Sequence, residues 1–431
     1  MLPFVPVRPE ISLAGLLVYA FFAFALGLTL TPWFISFLRR NRLGKQLRVD
    51  TVDGREASIF RKYHEKKFGT PTMGGILIWV SILLTVLLSR AFAYFGLVEN
   101  SLLQRGQVYV PLWVLLTFGI VGAIDDYLNV IGSSEEQWKR FLPPVRLFFW
   151  IATAVLVVAL VVIAPGIVQS GDLPGWMSHA AAAIPLYLVS LAYLGSGLAV
   201  LDNVSKQWNP HQSRKGGLAV FPKLVSFAVI ALVAACWFYF KLDYDSVAVP
   251  FWGTIEIGAW YIPLAALVIV SMCNAVNFTD GLDGLAGGLL VIAFAAFGVL
   301  SFLSGLTVLA AFCAVIAGAI AAFLWHNVPP ALFYMGDTGS LPLGGVLAVI
   351  ALMTDRMLLL PLIGFIFMIE LLSVVIQLTS KRLRGGKKVF RAAPIHHHFE
   401  ALEWGESKVT MRFWIVGAFM AMLGVIIGIS M

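Results

Sequence analysis

Apolar residues in this 431-residue chain fall into runs of roughly 20, the length at which an α-helix crosses the hydrocarbon core of a bilayer. Twelve runs can be marked, near 11–38, 74–97, 108–124, 145–165, 180–201, 218–240, 258–276, 285–304, 306–326, 339–354, 357–379 and 411–430. Inside lipid every backbone amide must find its partner within the protein, so a chain of this kind folds as packed helices or as a closed barrel. A barrel would show alternating segments of about 10 residues, and none are present. The expected fold is an all-α, polytopic integral membrane helix bundle of about twelve transmembrane helices, a single domain over residues 1–431.

Composition agrees. Apolar residues make up 60% of the chain and Asp, Glu, Lys and Arg only 12%, against about 25% charged in a soluble domain. That deficit excludes an ordinary soluble enzyme, a disordered chain and a nucleic-acid-binding domain. Cys236, Cys273 and Cys313 lie inside apolar runs without paired spacing, so they read as small core residues.

Charge placement orients the bundle. The first run is too long for a signal-peptide core, and its basic cluster follows it, so it reads as a retained anchor. With odd-numbered spans entering the cytoplasm, only Arg8, Arg90, Arg105, Lys241 and Arg356 of the 30 Lys and Arg residues fall outside. The positive-inside rule selects this orientation, which puts both termini outside. A basic cytoplasmic face follows from topology and lipid headgroups, or it seats anionic substrates.

The unusual chemistry lies on that face. Asp125 and Asp126 close the helix running through Gly119 to Ile124. Adjacent carboxylates at a membrane boundary call for a compensating cation or proton, unless the helix end is simply solvated. Asn274, Asn277, Thr279, Asp280 and Asp283 share one polar connector rich in glycine. Such groups can hold a ribose, a base edge and a metal; the spacing of a calcium loop is absent. Asp337 sits between Gly336 and Gly339 just before a helix, where it is either a helix cap or a group beside a bound phosphate. His396, His397 and His398 lack the thiols and spacing of a zinc site, and imidazoles can donate to a diphosphate. Lys67 precedes the stretch Gly69-Thr-Pro-Thr-Met-Gly-Gly75, a flexible turn that does not match the Walker pattern. Carboxylates, a cation and histidines on one face describe a magnesium-assisted phosphoryl-transfer site for a lipid-soluble acceptor.

Those stretches, with Asp125-Asp-Tyr127, Asn274 to Ala286, Met335 to Leu341, Ala393 to Glu400 and Arg412 to Ile415, carry a resemblance. The chain resembles the polyprenyl-phosphate N-acetylhexosamine-1-phosphate transferases, of glycosyltransferase family 4 type, and within them the muramoyl-pentapeptide branch. Order and spacing agree over 11–130 and 213–430. The resemblance implies transfer from UDP-N-acetylmuramoyl-pentapeptide to undecaprenyl phosphate, giving lipid I and UMP with Mg2+, at the cytoplasmic side of a bacterial inner membrane. It implies catalytic roles for Asp125, Asp126, Asp337, His396, His397 and His398. It places Lys67, Thr72, Asn274, Asn277, Asp280, Asp283 and Tyr334 at the substrate, and Asp337, Asn277 and Asp126 at the metal. It admits a homodimer within membrane lipid and involves no nucleic acid.

Adjacent helical residues point about 100° apart, so Asp125 and Asp126 are expected to differ in role. Asp125 would orient or deprotonate the lipid phosphate, and Asp126 would support magnesium and Lys67. Tyr334, Phe278 and Thr338 stand where relatives commonly carry Phe, Leu and Val. Residues 131–212 read as an inserted two-helix hairpin with a cytoplasmic loop, making twelve spans from the family's ten. Its loop 202–216, with Asp202, Lys206, His211, Arg214 and Lys215, is placed to cover the site. Two other readings remain. A sister transferase using UDP-N-acetylglucosamine would carry a different histidine loop, and a secondary transporter would need acids near the midplane, where only Glu370 lies.

Overall fold

The computed structural model describes residues 11–41, 43–44, 69–98, 100–103, 106–131 and 217–431. The spans expected at 145–165 and 180–201, the inserted hairpin and Lys67 lie outside the described residues.

Helices α1 (Leu13–Arg40), α2 (Gly75–Tyr94), α3 (Tyr109–Ile131) and α4 (Val220–Leu242) come first. A hairpin of β1 (Ser246–Val249) and β2 (Gly253–Glu256) follows. Then come α5 (Tyr261–Thr279), α6 (Leu285–Leu303), α7 (Thr307–Asn327), α8 (Asp337–Met353), α9 (Leu360–Ile363), α10 (Phe365–Leu383), α11 (Ile395–Glu400) and α12 (Glu406–Ile429). Among the described residues, eight helices are long and apolar enough to cross a membrane, and α9 with α10 passes as a bent pair. The fold is a membrane helix bundle, as the runs predict.

Helix α8 is the hub. At 17 residues it measures about 25 Å along its axis, short for a full span. It is buried along almost all of its length, packed against α2, α3, α5 and α6. The outer helices show their apolar side chains outward: Trp33, Phe21 and Phe419 are exposed, as expected where lipid replaces water.

The sequence predicts one straight span over 357–379; the chain instead bends by 87° between residues 357–363 and 365–383. Gly364 lies at the break, a residue type that weakens a helix interior, and Pro361 sits in the first turn of the short α9. Cys273 and Cys313 are buried, Cys236 is half-buried, and all three are free thiols.

Candidate active site

The polar motifs converge through backbone before any side chain meets. Gly74 N donates to Tyr334 O at 2.8 Å, Gly75 N to Met335 O at 2.9 Å, and Tyr334 N to Pro71 O at 2.8 Å. The Gly69–Gly75 turn and the segment leading into Asp337 therefore run alongside one another. Glycine makes this approach feasible: a Cβ on Gly75 would stand 2.1 Å from Gly339 N. Gly336 adopts a left-handed φ of 72°, and a Cβ there would lie 2.3 Å from Asp126 Oδ2.

The paired carboxylates face different partners, in keeping with their angular separation on the helix. Asp126 is buried against the start of α8. Its Oδ1 accepts from Asp337 N at 3.2 Å, and its Oδ2 accepts from Thr338 N at 2.9 Å and Thr338 Oγ1 at 2.6 Å. The first amides of a helix have no intrahelical acceptor and carry the positive end of the macrodipole. A carboxylate from α3 satisfies them here. Roughly four acceptor positions exist on a carboxylate, so one remains beyond these three donors.

Asp125 turns toward α4. Its Oδ1 accepts from Leu218 N at 2.7 Å, and its Oδ2 accepts from Lys223 Nζ at 3.1 Å and Asn129 Nδ2 at 3.1 Å. Lys223 also pairs with Asp337 Oδ2. One ammonium thus bridges two carboxylates that come from different helices. Asp337 Oδ1 accepts from Asn277 Nδ2 at 2.7 Å, and the same amide donates to Ser340 Oγ at 2.9 Å. Asp125, Asp337, Lys223 and Asn277 form one polar knot at the ends of α3, α8, α4 and α5.

Lys223 was not among the expected site residues. The signal was present: it is a lysine one turn inside an apolar span, where a charge normally has a partner. In sequence it reads as an interfacial anchor, since its two partners lie about a hundred residues away.

The expected nucleotide-side residues divide. Asp280 Oδ2 accepts from Gly336 N at 3.2 Å, next to the knot. Asp283 is buried, accepts from Ala331 N at 2.9 Å, and donates its own N–H to Glu406 Oε1 at 2.7 Å, tying its loop to α12. Asn274 instead turns its amide back to Val270 O on its own helix. Thr72 is buried beside Gly336, its N–H bonded to Leu43 O at 3.0 Å. Tyr334 is half-buried in the same segment. Burial, assisted by the Asp283 carboxylate, pushes its phenol well above the usual range, so it remains a neutral hydroxyl.

The three histidines occupy α11 and face different groups. His396 is fully buried against Glu370 of α10, with Nδ1 3.1 Å from Oε1. His397 Nδ1 lies 2.6 Å from Glu400 Oε2. His398 Nδ1 accepts from Arg391 N at 3.1 Å. The site is therefore two connected parts, the carboxylate–lysine knot and the histidine helix, joined through the Asp280–Asp283 loop.

Residues 186–355 match the sequence profile of glycosyl transferase family 4. A phospho-N-acetylmuramoyl-pentapeptide-transferase of Chloroflexus aurantiacus is 37% identical over 421 residues, covering 96% of this chain and 89% of the relative. Proteins of the same name from a Geobacillus species (34% identical, 94% of this chain and 95% of the relative) and from Bacillus thuringiensis (33%, 97% and 99%) are also similar along their length.

Proposed function

The chain belongs to the phospho-N-acetylmuramoyl-pentapeptide transferases, and from that premise we propose that it moves phospho-N-acetylmuramoyl-pentapeptide from UDP to undecaprenyl phosphate, releasing UMP and leaving lipid I in a bacterial inner membrane. The observation that carries this reading is the bridge of Asp125 and Asp337 by Lys223 at the ends of three membrane helices. A lipid-borne phosphate and a water-soluble nucleotide can meet only at such a boundary.

An acceptor phosphate oxygen attacks the β-phosphorus of the donor. The new O–P bond forms as the bond from the β-phosphorus to the bridging oxygen breaks, and the electron pair leaves with UMP. Asp125 faces the incoming acceptor phosphate, orients it and takes a proton where one remains. Lys223 supplies positive charge between the carboxylates, which offsets the repulsion between the anionic diphosphate and the attacking phosphate. Asp126 keeps Asp337 in register by holding the amides of α8. Asp280 and Asp283, with Asn274, Thr72, Tyr334 and Lys67, serve the nucleotide side. His397 and His398 serve the diphosphate and muramoyl-peptide side, while His396, fully buried against Glu370, backs the Asp280–Asp283 loop.

The donor set suits magnesium. Among the described residues no cluster of three or more His, Cys, Asp or Glu forms a closed cage, and magnesium usually takes one or two carboxylates plus substrate phosphates. Asp337, Asn277 and Asp126 carry hard oxygen donors of this kind and would hold the ion together with the donor phosphates. The bound ion would neutralise charge on the donor diphosphate.

Purified protein incubated with undecaprenyl phosphate and magnesium tests the assignment. UMP should appear with UDP-N-acetylmuramoyl-pentapeptide and hardly at all with UDP-N-acetylglucosamine. A preference for the second sugar moves the protein to the sister branch.

A further inference from the structure

Glu370 is a buried acid on α10, in the second half of the broken span, and no part of the mechanism above uses it. An acid in a membrane helix is costly unless paired. Its partner is His396: Oε1 lies 3.1 Å from Nδ1, and Oε2 accepts from His396 N at 3.4 Å. Both residues are 0% exposed. On the opposite edge of the ring, Nε2 is buried without a hydrogen-bond partner and faces Gly281. A Cβ on Gly281 would stand 2.3 Å from Nε2 and 2.8 Å from Cε1. Nδ1 and Oε1 are in close contact but complete no hydrogen bond, so the imidazole is a spacer packed between the Glu370 carboxyl on one side and the backbone between Asp280 and Leu282 on the other.

That backbone belongs to the donor-side loop. Asp280 reaches Gly336 N beside Asp337, and Asp283 is pinned to α12 through Glu406. His397 and His398 do not share this position, since each is engaged on its own helix or the preceding loop.

We propose that Glu370 is a positioning residue for the nucleotide donor: through His396 it sets the placement of the Asp280–Asp283 loop, and so governs donor affinity without touching substrate. The bent span thereby reaches the nucleotide pocket by a chain of contacts, Glu370 to His396 to Gly281. This rests on the proposed transferase reaction.

The test uses full-length protein in detergent or nanodiscs, with wild type alongside Glu370→Ala, Glu370→Gln, His396→Ala and the Glu370→Ala/His396→Ala double variant. UMP release is measured against each substrate in turn. Losing a buried positioning contact should raise the donor KM of Glu370→Ala by at least about fivefold. The value of kcat per folded molecule and the KM for undecaprenyl phosphate should stay within about threefold, as for lost binding expressed equally in ground and transition states. Glu370→Gln keeps the side-chain shape packed against the ring and an oxygen to accept from His396 N, and should recover most of the donor affinity. The double variant should equal His396→Ala, because the two act in series. An unchanged donor KM in Glu370→Ala overturns the proposal, as does multiplication of the two single effects in the double variant. A lowered melting temperature or active fraction with donor KM intact marks a purely structural pair and also overturns it. If wild type itself releases no UMP, the reaction assignment fails instead.

Discussion

Asp126 caps the helix that begins with Asp337: the carboxylate on α3 accepts from the backbone amides of Asp337 and Thr338 and from the Thr338 hydroxyl. Two acids more than two hundred residues apart are thereby fixed in one geometry, with Asp126 as the anchor. Asp125, its sequence neighbour, faces α4 and Lys223. The two side chains reach different helices because a helix turns about 100° per residue.

Asp126→Asn is the variant for the anchoring role. An amide offers fewer acceptor sites and no charge to a helix N-terminus, so at least one α8 amide loses its partner. We expect about 1–3 kcal/mol less stability, read by thermal unfolding in detergent. Activity should fall with no recovery at any pH, because geometry rather than protonation is lost.

Asp337→Asn addresses the charge on which the proposed reaction depends. It keeps the acceptor for Asn277 but removes the anion facing Lys223. Turnover should drop at least about 100-fold, the scale of losing one preorganised electrostatic group. Near-normal rates at saturating magnesium would remove Asp337 from the chemistry.

Lys223→Met leaves Asp125 and Asp337 without their shared cation. Breaking a buried pair from one side costs about 3–5 kcal/mol, and at a side chain 22% exposed the loss should sit at the low end. Adding Asp125→Asn removes one of the stranded charges, so the double variant should regain thermal stability. It should not regain activity. Recovery of both would reduce Lys223 to a purely structural cation.

Asp125→Asn tests proton handling by the acceptor. The second proton of a phosphate ester leaves with a pKa of about 6, so below that value the attacking oxygen needs a base and above it does not. Activity of the variant should collapse on the acid side and recover partly above neutrality, measured as UMP release across pH. A uniform loss at every pH would leave Asp125 with orientation alone.

Much of this arrangement was legible in the sequence, for identifiable reasons. Apolar runs fixed where helices lie because lipid leaves the backbone no alternative, and ten of the twelve runs fall on described helices. Adjacent carboxylates at a span end marked Asp125 and Asp126, a connector too rich in specialised groups marked Asn277 and Asp280, and flanking glycines marked Asp337. Long-range pairing was not legible. Nothing local says that Lys223 bridges two acids, that Asp126 caps a remote helix, or that Asn274 turns back on its own turn. The histidine run announced function, yet only the fold distinguishes the buried His396 from His397 and His398. The bend at Gly364 was hidden in an uninterrupted apolar stretch, because composition marks length and not direction.

The central claim is direct transfer to a lipid phosphate at the carboxylate–lysine knot. It is tested most directly by UMP release from UDP-N-acetylmuramoyl-pentapeptide at equal enzyme and magnesium, with and without undecaprenyl phosphate. The account predicts many turnovers with the lipid and none without it, and loss of the lipid-dependent turnover in Asp337→Asn. One UMP released per protein molecule in the absence of lipid would mean that the sugar phosphate passes through a covalent aspartyl intermediate, and would contradict it.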